Sequence, residues 1–180
     1  LFSNLILNKN QFNDYYTLVL LFLMFFVGFL DDKINLSSNT KTILFIIIIF
    51  FSIYPNHNLQ IHYLNFSYLD NTFSVNKYSI FLTIFFIFIF VNAFNMFDGI
   101  NGQSGIYTVI LFSYFIFKDV NILLSLSIII TFIFFLIFNL KSKIFLGDNG
   151  SIVISFLISL IIIEAYNLKI IQNCDEIFIL

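Results

Sequence analysis

The stretch "FLTIFFIFIFVNAFNMFDGINGQSG", residues 81–105, decides the fold class of this chain. Its first eleven residues are Phe, Ile, Leu and Val apart from a single threonine, a composition typical of a helix in the hydrocarbon core of a bilayer. The run ends at Asp98, which lies among glycines and asparagines. A charge at the end of a membrane helix is either interfacial or functional. Its meaning therefore depends on where the other carboxylates of the chain lie.

The composition identifies lipid as the solvent of this chain. Of its 180 residues, 60% are hydrophobic, 28 are Phe and 10% are charged, and no soluble domain of this size could bury so much apolar surface. The net charge of −2, with eight lysines and no arginine, excludes the basic surface that nucleic acids require. A single cysteine, Cys174, excludes an internal disulfide and a cysteine-based metal site.

Apolar runs separated by polar clusters predict an all-α polytopic membrane protein with about six transmembrane helices. The predicted spans are residues 15–30, 37–54, 78–97, 104–117, 120–138 and 151–165, and a seventh begins at "EIFIL" (176–180). Ser37 and Ser38 are candidate N-caps of the second span. Partial alternation within residues 55–77 predicts a short β-hairpin with its turn at "LDNT" (69–72).

The acidic clusters are predicted to share one face of the membrane. Because successive spans alternate in direction, loops 31–41, 98–103 and 139–151 fall on the same side and bring Asp31, Asp32, Asp98 and Asp148 there. If residues 104–138 formed one kinked helix, Asp148 would move to the opposite face. Lysines occur on both sides, so the positive-inside rule does not orient the chain.

Clustered acids at a membrane face favour a site for a cation and phosphates. Asp31 and Asp32 are adjacent and repel each other unless a cation or hydrogen-bond donors compensate. Mg²⁺ fits, because it takes one or two carboxylates and completes its shell with waters and substrate phosphates. The "GDNGS" loop (147–151) adds glycines that let main-chain N–H groups approach an anion, and Ser151 is either a helix N-cap or a phosphate contact. The pattern suggests a reaction between a soluble phosphorylated donor and a lipid phosphate.

Three motifs then show a family resemblance. "FLDDK" (29–33), "NAFNMFDGINGQSG" (92–105) and "FLGDNGS" (145–151), in this order, resemble the polyprenyl-phosphate N-acetylhexosamine-1-phosphate transferases. The resemblance runs from about residue 15 to the C-terminus, and "NAFNMFDG" is more similar to the N-acetylglucosamine branch than to the phospho-N-acetylmuramoyl-pentapeptide branch. It implies a bacterial inner-membrane enzyme of lipopolysaccharide or cell-wall biogenesis with a cytoplasmic active site. Such an enzyme uses Mg²⁺ to transfer a sugar-1-phosphate from a UDP-N-acetylhexosamine to undecaprenyl phosphate, releasing UMP.

The resemblance also implies residue roles. By this resemblance, the catalytic carboxylates would be Asp31, Asp32 and Asp98. The substrate-binding residues would be Asn95, Asn101 and Lys41. The metal ligands would be Asp98 and Asp148. One position departs from the family pattern, because Asn101 stands where a second acid is usual. The Asn101 amide can hydrogen-bond a ribose or a phosphate, but it cannot offer a metal ion a negatively charged ligand.

Members of that family are longer than this chain. We therefore expect residues 1–180 to be a single, partial transmembrane domain lacking helices at both ends, with the lipid bilayer and a second copy in a homodimer as partners. Two further hypotheses stay open: an ion transporter that relays charge through its acids, and an inactive homologue, suggested by Asn101. Gly28 is a candidate for a close helix contact, and Glu164 is expected at the membrane interface.

Overall fold

The computed structural model describes residues 14–68 and 72–175, which form six α-helices and one two-stranded hairpin. The helices are α1 (Asp14–Ile34), α2 (Ser38–Ile53), α3 (Ser79–Phe97), α4 (Gln103–Phe117), α5 (Ile122–Asn139) and α6 (Gly147–Asn167). Each predicted span corresponds to one of these helices, which confirms an all-α membrane protein. The predicted seventh span lies outside the described residues.

The helices differ in how much of their apolar surface the bundle covers. By length and composition, three stretches of the described chain could cross a membrane: Asn76–Phe97, which contains α3, and the helices α5 and α6. On α5 the apolar side chains point outward, as for Leu123, which is 84% exposed. A helix that is apolar on its outward face is suited to lipid. By contrast α6 is mostly buried and forms the centre of the bundle.

Small side chains let the neighbours of α6 approach it closely. The central helix packs mainly against α1 and α3. Ser151, Ser155 and Ser159, spaced four residues apart, are fully buried on it. The hydroxyls of Ser155 and Ser159 donate to carbonyls of their own helix and that of Ser151 donates to Asn95 of α3, so burial leaves no serine unpaired. Gly28 of α1 contacts Asn149 of α6, which confirms the predicted close helix contact.

The contacts between helix ends place the three motif segments on one face. Gly28 near the end of α1 meets Asn149 at the start of α6, and Asn95 near the end of α3 bonds Ser151. Residues 118–121 form a turn between α4 and α5, in which Asp119 has a positive φ of 57°. The alternative of one kinked helix over 104–138 is therefore wrong, and Asp148 lies on the same face as the other motifs.

The hairpin lies at the opposite end of the bundle. Strands β1 (Tyr63–Leu64) and β2 (Phe73–Ser74) pair antiparallel, which confirms the predicted hairpin; turn residues 69–71 lie outside the described part. The hydroxyl of Tyr166, near the end of α6, donates to the Tyr63 carbonyl at 3.0 Å and accepts from the Asn65 N–H at 2.8 Å. This tyrosine fastens the hairpin loop to the central helix.

The expected start of α6 is wrong. The helix begins at Gly147, four residues earlier than predicted, because that glycine takes a positive φ of 69° and allows "GDNGS" to form its first turn. Ser151 is therefore inside the helix and buried, and it is not an N-cap. Glu164, three residues before the end of α6, is only 3% exposed, because neighbouring elements enclose the helix there; its position at the membrane interface stays a prediction.

Candidate active site

The first motif is held by an ion-pair chain that reaches the third motif. Lys41, in the first turn of α2, donates from Nζ to Asp31 Oδ2 at 2.5 Å and to Asp148 Oδ2 at 3.2 Å. The other oxygen of Asp31 accepts from the Leu36 N–H at 3.1 Å. The turn into α2, begun by its N-cap Ser37 as predicted, thus carries the lysine to both acids.

Asp32 has a different partner. Consecutive helical residues point about 100° apart, so the two acids of the pair cannot face the same neighbour. Asn149 Nδ2 donates to Asp32 Oδ2 at 2.8 Å. The first turn of α6 therefore contacts both acids of α1, Asp31 through Lys41 and Asp32 directly.

The second motif begins where α3 ends. Asp98 terminates that helix by donating its N–H to the Phe94 carbonyl at 3.1 Å, and its carboxylate accepts from the Ser104 hydroxyl. Burial and, secondarily, the charge of Asp148 raise the pKa of Asp98, and the hydrogen bond from Ser104 opposes this shift only in part. The end of α3 that carries Asp98 is joined to the start of α6, which carries Asp148, by the hydrogen bond between Asn95 and Ser151.

The amides of the second motif contact other parts of the chain. Asn95 Oδ1 accepts from the buried Ser151 hydroxyl, which joins α3 to α6. Asn101 is exposed and donates from Nδ2 to Ser142 Oγ at 2.7 Å, so it contacts the loop that precedes the third motif. Substrate contacts by Asn95 and Asn101 stay predictions, and each side chain also has a structural partner.

Sequence reasoning missed Asn139, the last residue of α5. Its Oδ1 accepts from the Gly102 N–H at 2.6 Å, and its Nδ2 donates to the Ile144 carbonyl at 2.8 Å. It is only 5% exposed and joins the loop after Asp98 to the loop before Asp148. The available signal was a single amide at the end of the apolar run "FFLIF" (134–138), directly before a polar loop.

Comparison with known proteins follows this geometry. The sequence profile of glycosyl transferase family 4 matches residues 15–166, which include all three motifs. The chain belongs to this family.

Three relatives illustrate this membership of the family. One, 27% identical over 147 residues, is the probable undecaprenyl-phosphate N-acetylglucosaminyl 1-phosphate transferase of Bacillus subtilis; the match covers 78% of this chain and 40% of that protein. Two phospho-N-acetylmuramoyl-pentapeptide-transferases also match. The enzyme of Streptococcus pneumoniae is 32% identical over 175 residues, and the match covers 85% of this chain and 51% of that enzyme. The enzyme of Thermotoga maritima is 30% identical over 158 residues, and the match covers 76% of this chain and 49% of that enzyme. The chain thus spans about half of these relatives or less.

The side chains of this family member fit Mg²⁺ in one binding mode. Within residues 14–68 and 72–175, no three His, Cys, Asp or Glu side chains lie close enough to hold a metal ion by themselves. Mg²⁺ does not need such a cage, because it is usually held by one or two carboxylates together with waters and substrate phosphates. Asp98 and Asp148 each provide carboxylate oxygens at this face, which are the hard ligands that Mg²⁺ prefers. The donor set therefore suits an ion that arrives with a phosphorylated ligand.

Proposed function

We propose that the whole protein transfers a sugar-1-phosphate from a UDP-sugar to undecaprenyl phosphate and releases UMP. The observation that carries this proposal is the convergence of the three motifs at one face of the bundle. There Lys41 joins Asp31 to Asp148, and the hydrogen bond between Asn95 and Ser151 joins the segment of Asp98 to that of Asp148. An ion relay would need acids spaced through the depth of the membrane, whereas these acids lie together at one end of the helices.

Mg²⁺ is part of the proposal. Asp98 and Asp148 would hold it, and the bound ion would neutralise charge on the diphosphate of the donor. The Ser104 hydroxyl hydrogen-bonds the Asp98 carboxylate and so fixes its orientation. The bond from Lys41 does the same for Asp148.

The proposed reaction is a direct displacement at phosphorus. An oxygen of undecaprenyl phosphate attacks the phosphorus that carries the sugar, the bond from this phosphorus to the bridging oxygen breaks, and that oxygen leaves with UMP. Because a phosphate monoester is already largely ionised near neutral pH, the attack needs little help from a base. Lys41 provides a positive charge that screens repulsion between the two phosphates. A covalent aspartyl intermediate is the competing route, and it predicts UMP exchange into the UDP-sugar without lipid.

N-acetylglucosamine-1-phosphate is the proposed group. The motif "NAFNMFDG" (92–99) supports it, as does the similarity to the Bacillus subtilis relative, which is named for N-acetylglucosaminyl 1-phosphate transfer. Phospho-N-acetylmuramoyl-pentapeptide is the second candidate, because two relatives named for its transfer are 30–32% identical to this chain.

We propose a cytoplasmic orientation for the face with the motifs, because the family resemblance implies a cytoplasmic nucleotide donor. The homodimer stays a prediction.

The test is UMP release by membranes that contain the whole protein. We expect UMP release that requires UDP-N-acetylglucosamine, undecaprenyl phosphate and Mg²⁺ together. The rate of UMP release should fall roughly a hundredfold or more for Asp98→Asn. The matched control is Asp175→Asn, because this half-buried acid bonds Ser67 at the opposite end of the bundle. Parallel reactions with the UDP-N-acetylmuramoyl-pentapeptide donor distinguish the two candidates. Undiminished release by Asp98→Asn would contradict the proposal.

A further inference from the structure

The two acids of the first motif differ in how many of their oxygens are already bonded. Both oxygens of Asp31 are engaged, one by the Leu36 N–H and the other by Lys41. Asp32 is exposed, and its Oδ2 accepts from Asn149. Within residues 14–68 and 72–175 no hydrogen bond reaches Asp32 Oδ1. This second acid therefore presents a free carboxylate oxygen at the face where the motifs meet.

Asn149 is confined on its other side by α1. A Cβ atom built on Gly28 would lie 2.5 Å from Asn149 Oδ1 and 3.0 Å from its Cα, so only glycine leaves room for this side chain. The same Oδ1 is buried and has no hydrogen-bond partner within the described chain. An amide flip would turn this oxygen toward the Asp32 carboxylate and replace an attractive contact by a repulsive one. Packing and electrostatics thus select a single orientation of the amide, with Nδ2 toward Asp32.

We propose that Asn149 is a positioning residue that holds the Asp32 carboxylate in its working orientation, with Gly28 providing the space for it. This inference rests on the proposed transferase function. Asn149 acts through Asp32 and need not contact either substrate. Its contribution follows from a hydrogen bond to a charged group, which is stronger than one between neutral groups.

The first experiment measures UMP release by Asn149→Ala in membranes that contain the whole protein. We expect kcat to fall about ten- to a hundredfold, the range for losing a hydrogen bond to a charged group, with the KM for the UDP-sugar within about twofold of the wild-type value. The matched control is Asn167→Ala. Asn167 lies at the other end of α6. Like Asn149, it donates hydrogen bonds from its side-chain amide to another segment of the chain, in this case to the main-chain carbonyls of Asn58 and Gln60. This control should keep the wild-type kcat.

A double-mutant cycle separates positioning from a general structural role. In the Asp32→Asn background, adding Asn149→Ala should change kcat by less than about twofold, because the residue it positions has already lost its charge. If Asn149 only stabilised the fold, its own cost would multiply that of Asp32→Asn. The reciprocal exchange, Asp32→Asn with Asn149→Asp, restores a donor–acceptor pair between the two positions but moves the charge to α6. We expect it to recover thermal stability without recovering turnover.

The outcomes separate this inference from the function on which it rests. No UMP release by the wild-type protein would overturn both. Wild-type release with an unchanged kcat for Asn149→Ala would overturn only the positioning role. Multiplicative effects in the double mutant, or full turnover in the reciprocal exchange, would overturn it as well.

Discussion

Replacement of Gly28 by alanine tests the contact on which the α1–α6 geometry depends. The new Cβ would lie 2.5 Å from Asn149 Oδ1 and 3.0 Å from Asn149 Cα. Rotating the Asn149 amide would relieve the contact with Oδ1 but would break the hydrogen bond to Asp32. The contact with Asn149 Cα involves the main chain, so it can be relieved only if α1 and α6 move apart. Overpacking of this kind costs about 1–3 kcal/mol. The higher helix propensity of alanine offsets about 0.5–1 kcal/mol of this cost. Taken at the middle of each range, the net loss in the free energy of unfolding is therefore roughly 1 kcal/mol.

The assay is thermal unfolding of the detergent-solubilised protein. A loss of this size corresponds to a Tm lower by about 2–4 °C for a protein of 150–250 residues. The matched control is Gly99→Ala, where the nearest atom to a new Cβ is the Met96 carbonyl oxygen at an ordinary 3.8 Å. A Tm for Gly28→Ala equal to or above that of the wild type would refute the close contact between α1 and α6.

Three further substitutions test other contacts. Asn139→Leu leaves two main-chain groups without their side-chain partner, at roughly 1–3 kcal/mol each, and should increase hydrogen exchange in both loops that it joins. Tyr166→Phe removes the hydroxyl that fastens the hairpin, so residues 63–74 should exchange faster while UMP release stays within twofold of wild type. Asn101→Asp supplies the acid usual in the family. The Ser142 hydroxyl, which accepts from Asn101, can instead donate to the new carboxylate, so we expect an unchanged Tm and a lower Mg²⁺ concentration for half-maximal UMP release.

Hydropathy and helix parity predicted where the motif segments lie. Apolar runs determine how many times the chain crosses the membrane, and that count alone decides which loops share a face. Asp31, Asp98 and Asp148 could therefore be assigned to one side without any knowledge of packing. The close contact at Gly28 was also predictable, because a glycine within a membrane helix often marks a neighbouring helix.

The partners of individual polar side chains could not be predicted in this way. Asn139 and Asn149 each bond a group from another segment of the chain, and only the packing of the helices brings these groups within 3 Å. Serine favours the N-cap position, which makes Ser151 a candidate from sequence alone, but a positive φ at Gly147 lets α6 begin a turn earlier. The burial of Glu164 depends on neighbours that its own sequence surroundings do not indicate.

Transfer of the donor's sugar-linked phosphate to lipid tests the central claim most directly. That claim is that residues 31–32, 98 and 148 form one phosphotransfer site. UDP-N-acetylglucosamine labelled with ³²P on the phosphate next to the sugar is mixed with undecaprenyl phosphate and membranes that contain the whole protein or its Asp148→Asn variant. We expect label in the lipid extract with the wild-type protein and a loss of roughly a hundredfold or more with Asp148→Asn, at equal amounts of folded protein. Label that stays water-soluble with the wild type, or reaches lipid equally with Asp148→Asn, would contradict the account.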